Sequence, residues 1–135
     1  MIRFVTIPAF LACLAAPPAL AAQYDGSHPF LCAPIDIVSC RSGGKCDKET
    51  SASVDLPQFL RVDVGQNQIT GMRPDGETLK AAIERVQHVE DHMLLQGTEQ
   101  HIAWTVSVGE NNGNMTITAG GDQVGFVAFG ACTSD

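Results

Sequence analysis

The sequence predicts a mainly β fold, an antiparallel meander forming a bent sheet or small barrel, with a helix around residues 77–89 as the one competing element. Three observations carry that expectation. Apolar and polar residues alternate with a period of two over several short segments. Those segments are separated by Gly, Asn, Asp and Pro turns. Four cysteines fall in the part of the chain that follows an export signal.

The export signal is read from residues 1–21. Arg3 gives the positive end, Phe4 to Ala16 is an apolar run too short to span a bilayer, and Pro17-Pro18 breaks any helix that follows. Ala19-Leu20-Ala21 has the small-x-small pattern of a cleavage site, so cleavage is expected near Ala21. A lipoprotein signal through Cys13 is the rival, but Phe10 stands where that pattern wants an aliphatic residue. The organisation expected is a signal peptide at 1–21, a flexible arm at 22–29 and a single disulfide-stapled β domain at 30–135, in the periplasm or secreted. No later segment is long and apolar enough for a membrane span.

After removal of Arg3, seven basic residues face fifteen acidic ones, a net charge of −8. An acidic domain repels phosphates, which argues against nucleic acid and against an anionic membrane surface. Its charge serves solubility. The signal also removes Cys13, which turns five cysteines into four: Cys32, Cys40, Cys46 and Cys132. Four cysteines in an exported domain allow three connectivities. Cys40 and Cys46 flank Ser42-Gly43-Gly44, a turn that lets its two ends approach, so Cys40–Cys46 is the natural local bridge. Cys32–Cys132 then ties the start of the domain to its end. No Cys-x-x-Cys pair points to redox or zinc chemistry.

Along the domain, Phe30 to Cys40 is rich in β-favouring residues, and Pro34 within it suits a sheet edge. Asp47 to Ser53 is charged and small, a surface loop. Leu60, Val62 and Val64 alternate with Arg61 and Asp63, then Gly65-Gln66-Asn67 turns the chain into a partner strand at 68–73. Residues 77–89 read two ways. Leu79, Ala82, Ile83 and Val86 form a helical stripe, whereas the flanking hairpins favour a strand that pairs Val86–Val89 with Met93–Gln96 across Glu90-Asp91. In the last third, Ile102, Trp104, Val106 and Val108 face inward, as do Met115, Ile117 and Ala119 beyond the Asn111–Asn114 turn. Val124 to Phe129 is apolar on both faces, the mark of a central strand.

The C-terminal block, with Trp104 opening a strand, Gly113-Asn114-Met115 after the turn and Gly130-Ala131-Cys132 at the end, resembles small exported bacterial proteins of unknown function. The resemblance implies a β-meander and an envelope location. It transfers no functional residues.

Candidate chemistry is sparse. His88 and His92 would share a face if helical and could then hold a metal, but in a hairpin they are solvated neighbours. No Gly-x-Ser-x-Gly elbow, phosphate loop or other catalytic motif is present, so no catalytic residue, resident metal or cofactor is assigned. Three functions remain. The first is a binding module for a small apolar ligand or peptide, lined by Trp104, Met115 and Phe126. The second is an envelope protein that binds or inhibits another protein through the stapled loop. The third is a hydrolase-like enzyme, for which no motif speaks.

Overall fold

The computed structural model describes residues 23–134, so the expected signal segment with Cys13 lies outside the described residues. Among those described, every regular element is a strand. They are β1 (Phe30–Arg41), β2 (Lys45–Glu49), β3 (Leu60–Asp63), β4 (Gln68–Met72), β5 (Thr78–Ala82), β6 (Arg85–Val89), β7 (His92–Glu99), β8 (Ile102–Gly109), β9 (Asn114–Gly121) and β10 (Val124–Ser134). All pairings are antiparallel, in the order β5-β4-β3-β1-β10-β9-β8-β7-β6, with β2 also on β1.

This order contains the reason for the shape. β5 and β6 stand at opposite edges of the sheet, yet only Ile83 and Glu84 connect them. Two connecting residues reach at most about 10 Å. The sheet must therefore curl until its edges nearly touch, and it forms a half-barrel. At the corner the chain changes partners. Ile83 N–H donates to the Asn67 carbonyl at 2.9 Å, and Glu84 N–H donates to the Gln96 carbonyl at 2.8 Å.

The helix reading of 77–89 is thereby corrected. Leu79, Ala81 and Ile83 are buried at period two, whereas Ala82, which the helical stripe needed inside, is exposed. The expected Val86–Val89 pairing with β7 is present, with Val86 opposite Leu95 and Val89 opposite His92.

β1 also differs from expectation. Pro34 suggested an edge, but β1 lies in the middle of the sheet between β10 and two shorter partners. Phe30–Cys32 pairs with β3 and Ile37–Arg41 pairs with β2. Pro34 falls between these two pairings, where its missing N–H leaves no ladder bond unmade. A bulge between Pro34 and Asp36 turns Ile35 outward and restores Ile37 to the interior. Asp47–Glu49, expected in a loop, belongs to β2 and completes this arrangement.

Both disulfides join directly opposite residues of β1 and a neighbour: Cys32–Cys132 to β10, and Cys40–Cys46 to β2. The interior is not uniform along the barrel axis. In its lower half, Phe30, Cys32, Val62, Met93, Leu95 and Val108 are completely enclosed, with Met115 beside them. The segment before β1 belongs to this packing. Tyr24 is buried, meets the Phe30 ring edge-on at 5.8 Å between centroids, and its N–H donates to the Glu110 carbonyl.

The two bridges should differ in worth because they close loops of different length. The sequence separation is 100 for Cys32–Cys132 and 6 for Cys40–Cys46. Replacing both members by Ala should lower the urea-unfolding free energy by up to about 4.7 kcal/mol for the long bridge and about 2 kcal/mol for the short one.

Candidate functional site

Above the packed half, the same inward positions carry smaller side chains, and the curled sheet bounds a partly open cavity of about 320 Å³. This lies at the lower end of the range of about 300–1,000 Å³ common for small-molecule sites. Leu60, Ile69, Leu79, Val106, Ile117 and Phe126 supply most of its apolar wall. Ala81 on β5 and Ala119 on β9 create the room, because neither reaches the axis as Met93 and Met115 do below.

Trp104 occupies the β7 side of this wall. It stands opposite Gly97 on β7 and Ala119 on β9. The ring lies across Gly97 so closely that a Cβ there would come within 2.4 Å of the indole Cζ2 and 2.5 Å of the Ala82 carbonyl oxygen. A glycine is the residue that lets an inward indole lie flat against its neighbour strand. Its Nε1–H is shut off from solvent and has no hydrogen-bond partner among the described residues. A buried donor left unpaired costs about 1–3 kcal/mol.

The mouth is crossed by residues 50–57, a strap between β2 and β3. Val54, Asp55 and Leu56 from it line the cavity. Three attachments hold the strap. Where it leaves β2, the Glu49 carboxylate accepts from Ser39 Oγ at 2.7 Å and from Ser53 Oγ at 2.6 Å. At its far end Pro57 is buried against Gly71, where a Cβ would come within 2.7 Å of the Pro57 ring. Between them, Arg73 donates to the Asp55 carbonyl at 3.0 Å and to the Asp55 carboxylate, while its other terminal nitrogen donates to Glu99 at 3.2 Å. One guanidinium thus ties the strap to the end of β7, across the mouth.

The seam beside the corner is finished by Glu84. β7 beyond Gln96 has no β6 partner. Glu84 takes that place with its side chain, accepting from the Thr98 N–H at 3.0 Å and the Thr98 hydroxyl at 2.6 Å.

Of the residues singled out from sequence, Trp104 and Phe126 line the cavity. Met115 does not; it is held in the packed half, on the same strand as the lining residues Ile117 and Ala119. His88 and His92 lie at the opposite end of the barrel and point to opposite faces, since His88 is opposite Met93 and His92 is opposite Val89. Each has its own carboxylate: Nδ1 of His88 lies 2.6 Å from Glu110, and Nδ1 of His92 lies 2.8 Å from Asp91. No cluster of three or more His, Cys, Asp or Glu side chains that could hold a metal occurs among the described residues. Sequence reading missed Asp55, Arg73 and Glu99. No motif joins residues so far apart, although the small inward residues Ala81, Gly97 and Ala119 are a usable signal for the cavity itself.

No family model, curated protein or solved structure matches this chain.

Two outcomes follow from this geometry. Gly97→Ala should destabilise the fold by about 1–3 kcal/mol in urea unfolding and shift Trp104 emission, because Cβ and the indole compete for one volume. The second concerns pH. The hydroxyls of Ser53 and then Ser39 hold the Glu49 carboxyl below its ordinary value of 4.5. A depressed carboxyl contributes stability above its unfolded value and loses it as pH falls through the folded one. Hydrogen-exchange protection in residues 50–57, corrected for the intrinsic rate at each pH, should therefore fall as pH drops below about 4.5, and Glu49→Gln should remove that acid step.

Proposed function

We propose that this chain is an exported binding module that holds a small apolar ligand in the upper half of its curled sheet. The hollow above the packed core is the observation that carries this reading. An apolar wall built of inward strand residues, a polar mouth and a strap across it are the parts a small-molecule site uses. Leaving such a wall empty forgoes the dispersion contacts that the lower half makes in full. A ligand restores them.

Export to the periplasm or beyond is part of the same proposal. Two disulfides suit an oxidising compartment. Among the described residues no helix is long and apolar enough to cross a membrane. The residues that line the cavity include the carboxylates Asp55 and Glu99, both engaged by Arg73, and no histidine, serine, threonine or cysteine is among the described lining residues. Binding, rather than catalysis, is what these groups suit.

The test uses the lone tryptophan as reporter. Titration with the neutral fluorophore N-phenyl-1-naphthylamine should saturate at one equivalent, with energy transfer from Trp104. Ala81→Leu, which fills the cavity, should abolish the signal while leaving the melting temperature equal to or above that of the parent. Retained binding in Ala81→Leu would place the ligand elsewhere and refute the proposal.

A further inference from the structure

We propose that the outer face of β1 and β10 pairs with a second copy of this chain about a two-fold axis, with Lys48 of each copy meeting Asp36 of the other. This face is the reverse of the one that walls the cavity, and its role stands apart from any ligand held there.

The outer face is unusual for so acidic a protein. The chain carries fifteen Asp and Glu residues. Among the described residues, none of them stands at an outward position of β7, β8, β9 or β10, and no Lys or Arg does either. Thr, Ser, Ala and Gly take most of these positions instead. A surface free of charge within a charged rim has the composition of a protein–protein interface. Its apolar centre lies on β1 and β10. Phe129 is 52% exposed and Ile35 68%. Half-buried Val38 and Val127 stand opposite each other beside them. Ile35 is present because the bulge between Pro34 and Asp36 turns it outward. Neither Ile35 nor Phe129 adds to the core, so the fold does not account for them.

The register of the strands points to the partner. Opposite residues share a face, so two rows run across the sheet. Lys48, Val38, Val127 and Thr118 form one, and Asp36, Phe129 and Thr116 form the next, about 7 Å along the strands. A two-fold axis laid across the strands, midway between the rows, sets each row on the other. Phe129 then packs on the second copy's Val127, and Thr116 on its Thr118. Lys48 comes beside the second copy's Asp36, and no charge meets its like. Both side chains are free to reach across, being 87% and 68% exposed, and within one copy they make only a long diagonal contact of 3.9 Å. A patch that complements itself in this way is what an isologous contact requires. The curl limits its extent. A half-barrel is convex across its strands, so contact is confined to the strip over β1, β10 and β9, and the dimer is a weak one.

The experiment is sedimentation velocity of the disulfide-intact protein at neutral pH, from about 5 μM to about 500 μM. The weight-average coefficient should rise with concentration from monomer towards dimer. Phe129→Lys should weaken association about tenfold or more while keeping the parent's melting temperature. Lys48→Asp and Asp36→Lys should each weaken it about tenfold, because each sets like charges against one another across the axis. An equimolar mixture of these two variants should associate within about twofold of the parent. Mixing cannot mend a contact inside one chain, so this recovery is the signature of the crossed pair. A chain that stays monomeric throughout would leave the face to a different protein and overturns the proposal. Undiminished association of Phe129→Lys moves the contact to another surface and overturns it as well. So does a mixture that associates no better than its components. Should Phe129→Lys fail to fold, the two charge variants decide, since both lie at well-exposed positions.

Discussion

The fold depends on one covalent constraint, the two-residue link from β5 to β6. Without it the meander is an open twisted sheet with two exposed edges, each a hazard for intermolecular pairing. With Ile83 and Glu84 joining those edges, curling is obligatory. The interior that results is walled by the inward faces of the strands, and its cavity is bordered by Val54, Asp55 and Leu56 of the strap. The parity of inward side chains also changes at this corner, from Leu79, Ala81 and Ile83 on one side to Val86 on the other. The corner is a true change of direction and not a flaw in a longer strand. Glu84 then serves twice, through its N–H in the ladder and through its carboxylate as a substitute partner for Thr98.

Given a curled sheet, side-chain volume decides what the interior becomes. β9 shows this within one strand: Met115 fills the lower level, Ile117 lies between, and Ala119 leaves the upper level open. β7 repeats the gradient from Met93 through Leu95 to Gly97. Two adjacent levels of one barrel thus have opposite characters. The lower resembles the close-packed interior of any small domain. The upper is apolar but under-filled, and the cost of that emptiness is borne by the lower half and by Cys32–Cys132, which locks the central strand at the packed level.

Much of this was legible in the sequence, and the illegible parts share a cause. The hairpins formed by β8, β9 and β10 were readable because alternation and turn chemistry agree there, and Trp104 was placed on the inward face by the same pattern. Val124 to Phe129, in contrast, is apolar on both faces, and alternation alone does not orient Phe126. Residues 77–89 defeated a single reading because Leu79 and Ile83 satisfy a period of two and a period of 3.6 together. Only Ala81 against Ala82 separates them, and alanine is the residue whose burial is least informative. Pro34 misled for a related reason. A proline is incompatible with a ladder bond, not with a central strand, and β1 has a gap between partners where no bond is required. Arg73, Asp55 and Glu99 meet only because three separate turns open on the same end of the barrel. Nothing local to any of them announces it.

The way the mouth is held differs in kind from the way the core is held. Arg73–Glu99 and Arg73–Asp55 are partly solvated ion pairs, and Glu49 with Ser39 and Ser53 is a surface arrangement. Partly solvated ion pairs contribute about 0–1 kcal/mol each, far less than the burial of Phe30 or Met93. A strap attached in this way can lift without disturbing the sheet beneath it, since its separation forfeits only the partial burial of Val54 and Leu56 and the burial of Pro57. The hierarchy suits a partly covered site: walls fixed by the β5–β6 closure and the disulfides, and a cover whose opening lies within reach of thermal fluctuation. Arg73 joins the two, because the side chain that latches the strap also sets the charge at the entrance. Any change that loosens the cover by removing Arg73 therefore also makes the mouth more negative, so access and selectivity in this barrel are coupled through one residue.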